Sequence, residues 1–380
     1  MWIGRIFNKP SFDALRVRAA IPVEQLRSIQ EYEFKSVCQA HGVGFFGLPV
    51  RQTPHFLFIQ AYRAAPGAPF EQTVYWKLAD TVLGCFRQTD GARRSYRHNR
   101  SAVINAPEDM CRRFISLLAE IEKTRHVQPI DVVALSDGTF IITDGLHRAA
   151  IASLLGWKLV PAVIRRVDPQ LRLLMEDLRD SFPAPGRKYL YTPIEHPVFS
   201  DWKVLRDATR WRMIRDEFDW AGKRVIDIGS YTGFFAQQAA RRGARVTGLE
   251  QDDQRLGQSR ALNRLLGVDP EYLHADFRDF LAQQRADCLI CFSVLHWILK
   301  KDAPEGFKKA LDTLSRAAPV MFFDMGQDNE PKMRSREWNH GLAINRKTIP
   351  DLVVRNSLFT HWKHLGTGDT GRDVYKFYRE

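Results

Sequence analysis

Asp227 lies near the end of a β-branched run, Arg224 to Ile228, and is followed at short spacing by Gly229 and Gly233. Glycines so placed let the backbone turn tightly and pass close to a ligand. From Phe234 the pattern becomes helical, and Gly243 stops it. A second short strand, Arg245 to Leu249, ends on Glu250. Strand, turn, helix, strand and terminal carboxylate form one βαβ unit, which binds a nucleotide at the carboxyl ends of its strands. A dinucleotide site requires G-x-G-x-x-G, so that a pyrophosphate rests on the helix N-terminus. Here an acid precedes the turn. It would repel a pyrophosphate and suits a ligand with a cationic amino group.

The string Asp227-x-Gly229-x-x-x-Gly233 resembles motif I of the class I S-adenosylmethionine-dependent methyltransferases. The resemblance implies that Asp227, Gly229, Ser230, Tyr231 and Gly233 surround the methionine part of the cofactor and that Glu250 holds its ribose hydroxyls. It extends to Tyr272–Leu273–His274–Ala275–Asp276, a third strand whose terminal acid lies near the adenine amino group in the family. It extends again to Cys288–Phe292 and the following Ser293–Val294–Leu295–His296–Trp297, similar to a Val-Leu-His stretch of many small-molecule members. Ser293 is thereby placed at the cofactor. One residue departs from the family: Tyr231 stands where a glycine is common. Taken singly, Asp-x-Gly is an ordinary turn, Glu250 a solvated strand end and Asp276 a helix cap; their order and spacing together carry the resemblance.

Methyl transfer from adenosylmethionine is an in-line displacement at a sulfonium, and the protein mainly aligns donor and acceptor and excludes water. A hydroxyl acceptor gains from a base, and His296, after the fourth strand, is the candidate, with His340 second. The Asp/Asn-Pro-Pro-aromatic box of amino-methylating nucleic-acid enzymes is absent after strand four, which argues against DNA amino-methylation. Neither Cys288 nor Cys291 follows a proline, as a 5-methylcytosine nucleophile would.

Upstream, Val132–Leu135 and Phe140–Thr143 flank an Asp137–Gly138 turn and read as a hairpin. The hairpin leads into Asp144–Gly145–Leu146–His147–Arg148 at the start of a helix, then Gly156 and a third strand, Lys158–Ile164. This segment resembles the nucleotide-binding core of the ParB/sulfiredoxin superfamily, whose members set a Gly-x-x-Arg-type box at a helix N-terminus against a nucleotide phosphate. Free N–H groups, the helix dipole and an arginine converge there on one anion. The resemblance implies Asp144, Gly145, His147 and Arg148 as nucleotide- or phosphate-binding residues, with ATP or CTP as the nucleotide. The box differs from that of the partition proteins, and no reductase cysteine accompanies it. A phosphoryl-transfer role and a scaffold that positions substrate or a partner chain both stay open.

A chain of 380 residues with 44% hydrophobic content suits two or three domains. No apolar run approaches the ~18 residues of a membrane span. Five scattered cysteines speak for a reducing cytoplasm. Cys288 and Cys291 lie in one strand and face opposite sides, so no metal or redox centre is expected. The net charge of +12, with Arg93, Arg94, Arg97 and Arg100 clustered, suits an acidic partner: nucleic acid, phosphorylated sugar, anionic polysaccharide or anionic lipid.

The expected architecture is α/β. A Rossmann-like seven-stranded methyltransferase sheet over 201–380 follows a smaller α+β ParB/sulfiredoxin-like domain, 1–167, and a connector, 168–200. Among the elements, Pro22–Ile29 has helical spacing, Phe56–Ile59 reads as a buried strand or connecting piece, and helices are expected at 206–218 and 302–317. The polar stretch 326–346, with Trp338, Asn339 and His340, is expected to lie over the active site. The function expected is methylation of a polar, anionic small molecule or glycan, with a nucleotide- or phosphate-binding front module that is a candidate kinase. RNA methylation gripped by a basic front half, and a non-catalytic nucleotide-dependent binding protein, are the alternatives.

Overall fold

The structure, a computed structural model, describes residues 15–29, 35–89, 96–98, 102–104, 106–181, 188–330, 333, 338–369 and 371–380. The arginine-rich stretch 93–100, apart from the backbone of 96–98, and the Pro/Gly stretch 182–187 lie outside the described residues. The chain divides into two compact units, 1–173 with 196–201, and 174–195 with 202–380.

In the first unit, β1 (Val17–Pro22) runs into a 3-10 turn, Val23–Gln25, and then β2 (Leu26–Arg27). The apolar spacing at 22–29 therefore marks a strand, a turn and a strand instead of the expected helix. The single turn carries the chain from one edge of a five-stranded sheet to the other. Helices α1 (Lys35–Ala40), α2 (Pro54–Ala64) and α3 (Val74–Thr89) follow. The run Phe56–Ile59 lies in α2, where a strand or connecting piece was expected. Thr53 caps that helix by accepting the Phe56 N–H, and Pro54 opens it, a start signal that outweighs a short apolar run. The small ladder of β3 (Tyr96–His98) and β4 (Ala102–Ile104) precedes α4 (Pro107–Thr124), which buries Phe114, Leu118 and Ile121 along one face.

The hairpin of β5 (Ile130–Ala134) and β6 (Phe140–Asp144), helix α5 (Leu146–Leu154) and β7 (Leu159–Val167) complete a sheet of order β1-β7-β5-β6-β2. Residues 196–199 belong to this unit: the His196 ring stacks on Phe140 at 5.3 Å, and Val198 and Phe199 are buried. The described residues of the stretch expected as a connector are thus divided between the two units. It holds α6 (Pro169–Asp180) and β8 (Tyr189–Leu190), which pairs with β9 (Lys203–Val204).

The second unit opens with α7 (Thr209–Ile214), shorter than the helix expected at 206–218; Asp207 Oδ1 accepts the Thr209 N–H. Strands β10 (Arg224–Ile228), β11 (Arg245–Glu250), β12 (Glu271–His274), β13 (Cys288–Phe292) and β14 (Val320–Asp324) are parallel. They alternate with α8 (Phe234–Arg241), α9 (Asp253–Leu266), α10 (Phe277–Gln283) and α11 (Leu295–Ala317). After α12 (Ile349–Arg355), β15 (His361–Thr367) and β16 (Asp373–Tyr378) close the sheet, β16 inserting antiparallel beside β14. The order is β12-β11-β10-β13-β14-β16-β15. It reverses direction between β10 and β13, and a crevice outside the strand ends opens at such a switch point.

Strand β13 is buried on both faces, as a central parallel strand must be. Cys288, Ile290 and Phe292 pack in one core layer, Leu289 and Cys291 in the other. All five cysteines are free thiols. Helix α11 spans both Leu295 and the expected 302–317 helix because two helices meet at a kink, where Ala303 has φ 56° before Pro304. Among the described residues, no helix is long and apolar enough to cross a membrane.

Candidate active site

The turn after β10 is built for close approach. Gly229 has φ 66° and Gly233 φ 85°. A Cβ on Gly229 would lie 2.7 Å from Val294 Cγ2, and one on Gly233 would lie 2.0 Å from the Tyr272 hydroxyl. Tyr231 takes a left-handed φ of 54° without being glycine, a strained conformation that its surroundings must impose. Its N–H donates to Glu250 Oε2 at 2.9 Å, its carbonyl accepts from the Ser259 hydroxyl, and Arg255 lies over its ring at 4.4 Å. The departure from the family glycine is thus held by three contacts.

Glu250 organises the crevice. Its Oε1 accepts the N–H groups of Gln251 and Asp252, and its Oε2 that of Tyr231. A carboxylate has roughly four acceptor positions, so one remains on Oε2 for a hydroxyl donor. Gln251 Nε2 in turn donates to Asp276 Oδ2 at 3.3 Å.

Asp276 itself is filled. It caps α10 through the Arg278 N–H, and it takes Nε and Nη2 of the Arg278 guanidinium. That guanidinium, ahead of burial, holds the Asp276 carboxyl below the usual carboxylate range. With Gln251, the four acceptor positions of Asp276 are taken.

Asp227 lies beneath the turn. It is 2% exposed, and its Oδ2 accepts the Ala236 N–H at 3.1 Å, tying β10 to α8. Burial pushes its carboxyl up to about 7. It shapes the turn from beneath rather than lying open to a cation.

Ser293, at φ 62°, is the hub of a buried charge network. Its N–H and hydroxyl both reach Asp324 Oδ1, at 2.7 and 3.1 Å, and its oxygen accepts from Arg210 Nη1 and Arg372 Nη1. Arg210 and Asp324 form a 3.0 Å ion pair and are 3% and 0% exposed. Arg372 pairs with Glu330 at 2.8 Å. These four charged residues carried no sequence motif. The only signal was position: an acid closing the fifth strand and an arginine on the helix before the first.

His296 is buried beside this network. Its Nδ1 faces the Gly326 N–H at 3.4 Å. Burial, then Arg372, pushes its pKa down to about 4, with Asp324 opposing. The ring is therefore neutral, and acceptance at Nδ1 leaves the proton on Nε2. This geometry makes Nε2 a donor, whereas the sequence suggested a base.

His340 is exposed at φ 48°. Within the stretch 326–346, Trp338 and Asn339 are buried. Trp338 Nε1 donates to the Met333 carbonyl, and Asn339 Nδ2 to Asp328 Oδ1, so they form the loop's own core.

The residues present fit a cofactor at this edge. At this edge, Arg210 Nε and Ser230 Oγ are buried with no hydrogen-bond partner among the described residues, and a buried polar group without a partner is costly. The cradle at Gly229 tolerates no side chain.

In the first unit, the box beneath α5 is assembled. Gly145 has φ 95°, and a Cβ there would meet Ile130 and Arg148 below 3 Å. Arg148 folds back into that space, pairing with Asp144 and donating to the Gln128 and Pro129 carbonyls. Of its five N–H groups, two remain. His147 turns to the Tyr75 hydroxyl at 2.6 Å and packs against Phe114 and His55. The expected four-residue set is thus divided between a surface arginine clasp and a buried aromatic cluster.

Residues 225–317 match a family model described as a methyltransferase domain, and residues 107–177 match one described as a ParB N-terminal domain. Among curated proteins, a ubiquinone biosynthesis O-methyltransferase of Aromatoleum aromaticum is 32% identical over 108 residues, 26% of this chain and 44% of that protein. Its counterpart in Stutzerimonas stutzeri is 29% identical over 128 residues, 33% of this chain and 54% of that protein. The chain thus spans about half the length of the curated relatives it matches. Among solved structures, the bifunctional kinase-methyltransferase WbdD aligns at 20% identity and a TM-score of 0.45, covering 54% of this chain and 46% of that one.

Proposed function

We propose that this chain, which carries a methyltransferase domain behind a ParB N-terminal domain, is an adenosylmethionine-dependent methyltransferase acting on a polar, anionic small molecule or glycan. The observation that carries the reading is Glu250. Three backbone N–H groups aim its carboxylate at the strand-end crevice and leave one acceptor position for a ribose hydroxyl. Gly229 and Gly233 keep the turn open to the methionine part, and Arg210 and Ser230 bring buried polar atoms that lack partners. Bound there, adenosylmethionine supplies an electrophilic methyl group on a positively charged sulfur.

The protein's own contribution is alignment and exclusion of water. His296 donates through Nε2–H to orient the acceptor oxygen; a carboxylate or phosphate oxygen has no proton to lose, and a hydroxyl passes its proton to water. Substitution separates this role from that of a base. His296→Gln keeps an N–H donor and is expected to retain methyl transfer from labelled adenosylmethionine within about tenfold of wild type, while His296→Ala falls by about a further tenfold, the scale of one lost hydrogen bond. Equal loss in both variants would restore the base.

The front unit is proposed to bind a nucleotide or phosphorylated group at Gly145 and Arg148, through the two unused guanidinium N–H groups and the N-terminus of α5. Calorimetric titration with ATP and with CTP is expected to show binding that Arg148→Ala abolishes. Absence of binding by the intact chain assigns the unit to scaffolding.

A further inference from the structure

The first two turns of α11 bury Leu295, His296 and Leu299 and expose Trp297, Lys300 and Lys301. Trp297 is 60% exposed, the highest value among the large apolar side chains of its unit that are exposed. Scattered exposed apolar residues are normal, but this one is not placed at random. Its ring lies 5.2 Å from that of His296, and Lys300 Nζ stands over its face, 5.7 Å from the centroid, where an anionic group on a stacked ring would draw the ammonium aside.

The segment is also rigidly held. It begins on Ser293 and Val294, which the charge network and Gly229 abut. It ends on Asp302, whose Oδ2 accepts from Arg278 at 2.7 Å immediately before the kink. Arg278 is the same guanidinium that fills Asp276. A flat apolar face with an adjacent cation is therefore fixed beside the group that orients the acceptor.

We propose that Trp297 and Lys300 form an acceptor subsite for an anionic saccharide, a proposal that rests on the methyltransferase reading of this unit. The indole face is electron-rich and suits the polarised C–H face of a sugar ring. The hydroxyl rim of the sugar stays in water, as an open platform requires. An apolar aromatic acceptor would instead call for an enclosing pocket. Lys300 meets the phosphate or carboxylate of the same ligand, so the charge of the acceptor and its ring are recognised one helical turn apart.

The test uses the full chain with adenosylhomocysteine present. Its binding to an array of phosphorylated, uronic-acid and neutral glycans is compared with titration by 4-hydroxybenzoate in solution. Trp297 is exposed, so Trp297→Ala and Trp297→Phe are expected to fold as wild type, checked by circular dichroism. Anionic glycans should be retained by the wild type, weakened about tenfold or more by Trp297→Ala and largely kept by Trp297→Phe, an aromatic contact being of that order. Lys300→Gln should weaken the anionic glycans and spare the neutral ones.

Glycan binding unchanged in Trp297→Ala, no glycan binding at all, or 4-hydroxybenzoate binding that depends on Trp297 would each overturn the subsite. A parallel adenosylmethionine titration keeps the two readings apart. Cofactor bound without glycan sinks the subsite alone. Trp297-dependent glycan binding without cofactor binding sinks the methyltransferase reading alone.

Discussion

Asp324→Ala is expected to destabilise the 202–380 unit by about 3–5 kcal/mol, because it leaves a buried arginine without its counter-charge. Arg210 is 3% exposed, and its guanidinium lies over the edge-to-face pair of Phe235 and Phe292, at 5.2 and 5.4 Å from their centroids. Without Asp324 its remaining hydrogen-bond partner among the described residues is the Ser293 hydroxyl at 3.3 Å. The same substitution removes the carboxylate that accepts the Ser293 N–H at 2.7 Å and leaves it the longer bond to the residue-324 carbonyl at 3.3 Å, which loosens the left-handed turn that starts α11. Chemical denaturation followed by tryptophan emission measures the loss. The double variant Arg210→Met with Asp324→Leu should recover much of it, since an apolar pair of similar volume removes both uncompensated charges. A loss below ~1 kcal/mol for Asp324→Ala, the range of an exposed pair, would show that the network is hydrated in solution.

The second large effect falls on binding. Glu250→Ala removes one carboxylate that three N–H groups and the proposed ribose share. Tyr231 then loses a contact that holds its φ of 54°. Each lost charge-assisted bond is worth about 1.5–3 kcal/mol, so the dissociation constant for adenosylmethionine should rise by about a hundredfold or more. Glu250→Gln is expected to fail almost as badly, because its amide NH₂ would confront backbone N–H groups. Full retention of binding by Glu250→Gln would remove Glu250 from the cofactor site.

The methyltransferase sheet was legible because its signals are local. Glycines at 229 and 233, a β-branched run at 224–228 and an apolar run at 288–292 announce their own conformation. Asp276 shows the limit of that legibility. Its position at a strand end was readable, but Arg278, two residues on, takes the carboxylate for itself, and a short-range ion pair of this kind has no periodicity. Asp227 was read as a ligand-facing acid, yet its direction depends on which sheet face α8 covers. The network of Arg210, Asp324, Ser293, Arg372 and Glu330 was invisible for a different reason. Its members are brought together only by the inserted strand β16 and the loop after β14. In the first unit, the hairpin and box were legible from Asp137–Gly138 and Gly145, whereas the aromatic cluster around His147 joins α2, α3, α4 and α5 and left no mark in any one segment.

The central claim is that the crevice at Glu250 holds adenosylmethionine. Calorimetric titration of the full chain with adenosylmethionine tests it most directly, with Glu250→Ala as the comparison. One site per chain in the micromolar range, lost in the variant, is the predicted result. An unchanged affinity in Glu250→Ala, or no heat of binding in the wild type with the unit shown folded by circular dichroism, would contradict it.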